Sequence, residues 1–405
     1  MGMNDTPSAQ RVHIGFFGRR NAGKSSIVNA VTGQEMALVS AVKGTTTDPV
    51  MKSMELLPLG PVVIVDTPGF DDSGELGEQR VRRTRQVLNS IDIAVLVTDA
   101  VTGLCDCDRE LLKIFKEKDI PCVVACNKSD LLSGKPELPE NGILVSALTG
   151  EGIFELKERI AHLGNVEDNM SRLVGDLVKP GDFVVLVTPI DKAAPKARMI
   201  LPEQQVIRGV VDAGGAAVDI REDRLVDTLA GLGRKPALVI TDSQAFGSVS
   251  KQTPMDIPLT SFSILMARWK GSLKQSIQGV AAIRKLKDGD RVLISEGCTH
   301  HRQCTDIGTV KIPHWLQEYT GCSLNIETSS GHGFPEDLTP YALVIHCGAC
   351  MLTEREVRYR MRCAADQNVP ITNYGTAIAA MHGILPRALA LFPDLEALIE
   401  QQGQI

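Results

Sequence analysis

Aromatic side chains are scarce in this sequence: Phe, Tyr and Trp together make up 4% of 405 residues, with two Trp and four Tyr. Its cores must therefore be aliphatic, and an aromatic platform for stacking unpaired bases is excluded as a main feature. An excess of positive charge is absent too. Lys and Arg number 43 against 49 Asp and Glu, a formal net charge of −6, so the balance does not point to nucleic acid as the chief partner. No run approaches the roughly 18 consecutive apolar residues that a bilayer span needs. The opening MGMNDTPSAQRVHIGFFG passes straight into a strand, without the apolar core and small-residue cleavage site of a signal peptide. These absences read as a cytoplasmic chain with no membrane partner. Ten Cys are too dilute for a disulfide framework, and a reducing compartment keeps them as thiols open to metal.

What is present is a globular composition, 43% hydrophobic and 23% charged, in a length that implies two or three domains at about 150 residues each. Residues 1–168 alternate short apolar runs (12–18, 61–67, 92–100, 120–130, 142–147) with helical segments (24–32, 78–89, 108–117, 155–162), the pattern of an open α/β domain. Residues 171–275 read as a smaller α/β unit, with strands at 182–190 and 235–244 and a helix starting near Pro202. Its segment FSILMARWKGSL puts Phe262, Leu265, Met266 and Trp269 on one helical face, to be covered by its own domain or by a second subunit. Residues 280–405 form a third α/β territory, whose strands 290–298 and 341–350 each end in a Gly-containing turn with a Cys. No internal sequence repeat is evident.

Four motifs in the first territory carry nucleotide chemistry. Gly18-Arg-Arg-Asn21-Ala22-Gly23-Lys24-Ser25 fits GxxxxGK[ST] between a strand and a helix. Backbone N–H groups of this turn and of the helix start, through Ser26, cradle phosphates; Lys24 reaches the β/γ oxygens and the Ser25 hydroxyl reaches Mg²⁺. Asp66-Thr67-Pro68-Gly69 closes a strand where Asp66 can hold Mg²⁺ through water and Gly69 can let the backbone approach the γ-phosphate. Asn127-Lys128-Ser129-Asp130 selects the base, because the Asp130 carboxylate accepts from both donors of guanine, a pair adenine lacks. Ser146-Ala147 is placed to close over that base. The reading is a GTPase.

The motif order resembles the translation-factor-related GTPases, within them the tRNA-modifying and ribosome-assembly GTPases with GxxNxGKS loops. By that resemblance Gly44-Thr45-Thr46-Thr47-Asp48 is the first switch, with Thr46 as Mg²⁺ ligand, and Asn21 assists a K⁺ ion beside the phosphates. Lys24, Thr46 and Gly69 are then the groups at the reacting phosphate. Phe70 stands where Ras-like proteins carry a water-orienting Gln, which implies slow intrinsic turnover. Asp71 and Asp72 read as a solvated switch loop, and Arg19 and Arg20 as solvent-facing.

The cysteines divide by context. Cys122 and Cys126 on one strand read as small buried hydrophobes, Cys105-x-Cys107 as an incidental loop pair, and Cys304, Cys322 and Cys363 as structural. Cys298-Thr-His300 and His346-Cys347-Gly-Ala-Cys350 differ: three thiolates converging on one centre, with Gly348 relieving crowding in the turn, suit Zn²⁺ or an iron-sulfur cluster. Spacing alone leaves both open. C-x-H, then 45 residues, then H-C-x-x-C, behind a GTPase, resembles the [FeFe]-hydrogenase maturation GTPases. That resemblance implies a middle dimerisation domain and a [4Fe-4S] cluster on Cys298, Cys347 and Cys350, with His300 and His346 nearby and Asp191 approaching as a fourth ligand. It also implies a homodimer or larger homo-oligomer, two radical-SAM maturases and apo-[FeFe]-hydrogenase as partners, and a transient diiron subcluster precursor. The alternative is a tRNA- or ribosome-associated GTPase with a structural zinc module.

Overall fold

The computed structural model describes residue 9 and residues 11–33, 50–57, 59–67, 69, 87–134, 136–164, 173–188, 199–297, 306–331 and 333–395. The chain divides into two compact units, Met1–Glu167 and Asp168–Ile405. No helix among the described residues is long and apolar enough to cross a membrane.

The first unit runs β1 (Val12–Phe17), α1 (Lys24–Thr32), β2 (Val50–Leu56), β3 (Gly60–Asp66), β4 (Ile93–Asp99), α2 (Asp106–Glu117), β5 (Cys122–Asn127), β6 (Gly142–Leu144) and α3 (Ile153–Leu163). The sheet order is β2-β3-β1-β4-β5-β6, with every pair parallel except β2 and β3. Successive residues of the central strands feed opposite cores. Ile14, Phe16, Ile64 and Val95 pack with Ile27 and Leu156 on one side, while Phe17, Val65 and Leu96 pack with Leu111 and Phe115 on the other. Strands buried on both faces are the physical reason for their unbroken apolar runs. Strand β2 is the exception that the sequence reading omits. It is an antiparallel edge strand with Met51 48% exposed, so no apolar run announces it.

The second unit holds two four-stranded parallel sheets. The first contains β7 (Phe183–Thr188), β8 (Ala216–Arg221), β9 (Leu238–Thr241) and β10 (Leu259–Ser261), ordered β8-β7-β9-β10. The second contains β11 (Arg291–Glu296), β12 (Asn325–Ser330), β13 (Leu343–His346) and β14 (Ile371–Asn373), ordered β12-β11-β13-β14. The two orders are the same. Helices α4 (Leu201–Asp212), α5 (Leu225–Gly231), α6 (Phe246–Gln252) and α7 (Phe262–Trp269) belong to the first half, and α8 (Leu273–Val280) follows them. The second half has α9 (Ile312–Thr320), α10 (Glu354–Asp366), α11 (Tyr374–Met381) and α12 (Leu385–Leu389).

The matching strand orders reveal a structural repeat where no sequence repeat was evident. Ala237-Leu-Val-Ile240 enters β9 as Ala342-Leu-Val-Ile345 enters β13, and Pro258-Leu-Thr-Ser-Phe262 leads into α7 as Pro370-Ile-Thr-Asn-Tyr374 leads into α11. Unequal connections between these short matches hide the repeat from a sequence scan. One core joins the halves: Val185, Ile240, Phe246, Ile294, Ile345 and Tyr374 belong to a single buried cluster. The apolar face of α7 is covered inside this unit, with Phe262, Leu265 and Met266 buried. Ser263 of α7 meets its counterpart in α11, taking the Gly375 N–H on its hydroxyl at 3.1 Å.

Candidate functional site

The P-loop bends because its residues permit it. Asn21 has φ 62° and Gly23 φ 90°, the left-handed region that Asn and Gly tolerate. A Cβ on Gly23 would also lie 2.2 Å from Asn127 Nδ2. Lys24, buried, donates to the carbonyls of Gly18 at 3.0 Å and Arg19 at 2.8 Å. Ser25 Oγ donates to Asp66 Oδ2 at 2.7 Å, so the hydroxyl and carboxylate drawn from two motifs adjoin. Asp66 Oδ1 is buried with no hydrogen-bond partner. Burial raises the Asp66 carboxyl above its ordinary range, while the Ser25 bond and the Lys24 charge pull against that rise. An orphaned oxygen beside a hydroxyl fits a hard cation such as Mg²⁺.

Asn127 ties the base side of the site to the phosphate side. Its Nδ2 donates to Ala22 O at 3.0 Å and its Oδ1 accepts from the Ala147 N–H at 3.1 Å. Lys128, at φ 68°, pairs with Asp99 at 2.6 Å. Ser146 Oγ donates to Asp130 Oδ1 at 2.6 Å and accepts the Thr149 N–H, which fixes the carboxylate's orientation. Arg19 is not simply solvent-facing, since its guanidinium donates to the Thr102 hydroxyl. Ser26 stands in the first turn of α1, and Gly69 follows β3. Thr46, Phe70, Asp71 and Asp72 lie outside the described residues.

The thiol site lies at the carboxyl edge of β11 and β13, where parallel pairing sets Ser295 beside His346. The next residue, Cys347, donates its N–H to Ser295 O at 2.9 Å. Its sulfur accepts N–H groups from Gly297 at 3.1 Å and Ala349 at 3.3 Å. The first contact spans fifty residues of chain and brings the segment next to Cys298 against the CxxC turn. Cys298 itself, with His300, Asp191 and Cys304, lies outside the described residues.

Burial pushes the Cys347 thiol up, opposed by those two N–H groups and the Arg360 charge. Burial, then the neighbouring Cys347, raises Cys350 to about 11. N–H donors aimed at a sulfur suit a metal-bound thiolate, so the donor set fits a soft centre. Gly348 does not relieve crowding as expected: a Cβ there would meet Ser263 Oγ at an ordinary 3.5 Å. Gly297 does, because its Cβ would fall 2.6 Å from Leu352 Cγ.

Arg360 is the functional neighbour that sequence reasoning missed. Fully buried, it donates to Glu356 at 3.0 Å, to Gly331 O at 2.6 Å and to His346 Nε2 at 3.0 Å. A guanidinium only donates, so Nε2 accepts and the imidazole proton resides on Nδ1, where it meets Cys347 O at 2.8 Å. Burial, reinforced by Arg360, depresses His346 to about 3 and keeps it neutral. Both ring nitrogens are engaged, leaving no lone pair for a metal in this arrangement. In the sequence, Glu356 and Arg360 resemble a common solvated i, i+4 pair, which is why they drew no notice.

A family model described as the hydrogen maturase F dimerization domain matches residues 173–271, and one described as the hydrogen maturase F tetramerization domain matches residues 274–391. Together these two matches cover more than half of the sequence. The chain belongs to the hydrogen maturase F family. A third model, described as a 50S ribosome-binding GTPase, matches residues 13–128, so the first unit is a P-loop GTPase domain of α/β build. The chain is similar to the tRNA modification GTPase MnmE of Nitrosomonas europaea, 33% identical over 165 residues that make 40% of this chain and 36% of that protein. It is also similar to GTPase Der of Wolinella succinogenes, 32% identical over 188 residues, or 42% and 39% of the two chains. The matches to these two span less than two fifths of each relative's own length. Among solved structures, Era of Aquifex aeolicus is 19% identical with a TM-score of 0.34, covering 52% of this chain and 91% of that one.

Proposed function

We propose that this chain is a GTP-hydrolysing scaffold that holds a [4Fe-4S] cluster on Cys298, Cys347 and Cys350 and passes a diiron subcluster precursor to apo-[FeFe]-hydrogenase. The observation that carries the reading is the Gly297 N–H bond to the Cys347 sulfur, within a chain of the hydrogen maturase F family. It supports a shared centre for cysteines far apart in sequence. A cluster held by three cysteines supplies one iron with an exchangeable coordination position. The protein's part is to hold the sulfurs: Gly297 and Ala349 donate to Cys347, and Arg360 fixes His346 beside it.

In the first unit, Lys24 and the backbone of residues 18–26 bind the phosphates, Ser25 and Asp66 hold Mg²⁺ with Thr46, and Asp130 reads guanine. Gly69 receives the γ-phosphate, Asn21 assists a K⁺ ion, and loss of that phosphate releases the loops around Thr46 and Gly69. The precursor comes from two radical-SAM maturases, and the matched assembly domains support a homo-oligomer as the working form. The test is anaerobic purification with iron and sulfide analysis, then activation of hydrogenase that lacks its diiron unit. Iron-loaded protein should activate it, and failure of fully loaded protein overturns the proposal. The likeness to a tRNA modification GTPase and the match to a 50S ribosome-binding GTPase model favour an RNA-directed GTPase as second reading, which salt-sensitive binding to tRNA or ribosomal subunits would revive.

A further inference from the structure

Helix α2 starts on a sulfur. Cys105 is its N-cap, and in a reciprocal box the Cys105 side chain takes the Asp108 N–H while the Asp108 carboxylate takes the Cys105 N–H at 3.1 Å. Sulfur is a weaker acceptor than the oxygen of Ser, Thr, Asn or Asp that commonly fills this place. Cys107 turns back toward the cap, so the two sulfurs stand 2.8 Å apart, and the Cys105 thiol donates to Asp108 Oδ2 at 3.0 Å. The donor atoms of Cys105, Cys107 and Asp108 all lie within 4.8 Å of one another, and among the described residues no other trio of His, Cys, Asp or Glu does so. This grouping revives the alternative to an incidental loop pair, a metal-binding one.

A second observation is independent of the thiols. Asp108 is 0% exposed, yet its Oδ1 has no hydrogen-bond partner. An unsatisfied buried oxygen of this kind is costly, and a cation shared with the sulfurs would satisfy it. Both thiols are half-buried, which leaves an entry path that a core cysteine lacks.

We propose that Cys105, Cys107 and Asp108 bind one thiophilic divalent cation of the zinc class. Two thiolates, one carboxylate and an open fourth position make the donor set of such an ion. Tetrahedral binding sets the sulfurs about 3.7 Å apart, so the half-buried thiols open by about 1 Å. Binding releases two thiol protons to solvent and leaves a site of net charge −1. Leu104 and Arg109, which bracket the trio, line a cavity of about 350 Å³ together with Asp99 and Cys126. The loop entering the site is the one that grips the nucleotide motifs: Asp99 holds Lys128, and Thr102 holds Arg19. A bound ion therefore clamps the far end of that loop.

The test uses the full chain, iron-free and reduced, with zinc ions as probe. Zinc should slow alkylation of Cys105 and Cys107, read peptide by peptide, by about tenfold or more, while Cys322 reacts at an unchanged rate. Cobalt(II) should give a thiolate charge-transfer band that loses one site's intensity in the Cys105→Ser/Cys107→Ser protein, whose fold is checked by guanine-nucleotide binding. Equal alkylation rates with and without zinc overturn the proposal. So does a Cys105–Cys107 disulfide that persists under reductant in place of zinc binding.

Discussion

The two halves of the second unit share one frame and differ in what they mount on it. At the end of β9 the Asp242 N–H bonds to Val187 O, and Asp242 Oδ1 accepts the Gln244 N–H at 2.8 Å. At the end of β13 the Cys347 N–H bonds to Ser295 O, and Cys347 Sγ accepts the Ala349 N–H at 3.3 Å. The turn is the same, with sulfur in place of oxygen. Backbone register therefore supplies the geometry, and the side chain alone decides whether the edge offers hard or soft donors. The halves also bury different titratable groups: Glu203 in the first, and Arg360 paired with Glu356 in the second.

The sharpest test exchanges the donors. Cys347→Ser should reduce bound iron by about tenfold or more, whereas Asp242→Ser at the matching position should leave iron content unchanged, as iron and sulfide analysis will show. Loss in both would mean that the first half helps to hold the cluster. Next is Arg360→Met, which strands the buried Glu356 carboxylate and should lower unfolding free energy by about 3–5 kcal/mol in urea titration.

Where the halves touch, Gly375→Ala would set a Cβ 2.8 Å from Ser263 Cβ and should cost about 1–3 kcal/mol by the same measurement. The smallest effect concerns the buried carboxyl. Burial, with Asp219 and Asp242 nearby, raises Glu203 from 4.5 to about 7, so the folded state holds this proton more tightly than the unfolded one. Stability should fall as pH rises from about 4.5 to about 7, and Glu203→Gln should flatten that part of the thermal-unfolding profile.

The GTPase half of the fold was legible because its central strands are buried on both faces, and α1 was read to its exact bounds, Lys24–Thr32. Strand β2 escaped because an edge strand need not be apolar. Strands β8 and β12 escaped for the same reason, with alternating exposed and half-buried residues. At the sites, Lys24, Ser25, Asp66, Asn127, Asp130, Cys347 and Cys350 stand out by spacing. What spacing does not reveal is who holds them. Arg360 acts through burial, and Cys105 and Asp108 through a reciprocal cap, and neither property has a fixed interval in the chain.

Burial, reinforced by the Arg360 guanidinium bonded to its Nε2, keeps the His346 imidazole uncharged down to mildly acidic pH. No proton is therefore gained at this imidazole, next to the Cys347 sulfur, between neutral and mildly acidic conditions. On the function proposed above, protonation of this imidazole would then play no part in retaining or releasing a cluster at Cys347.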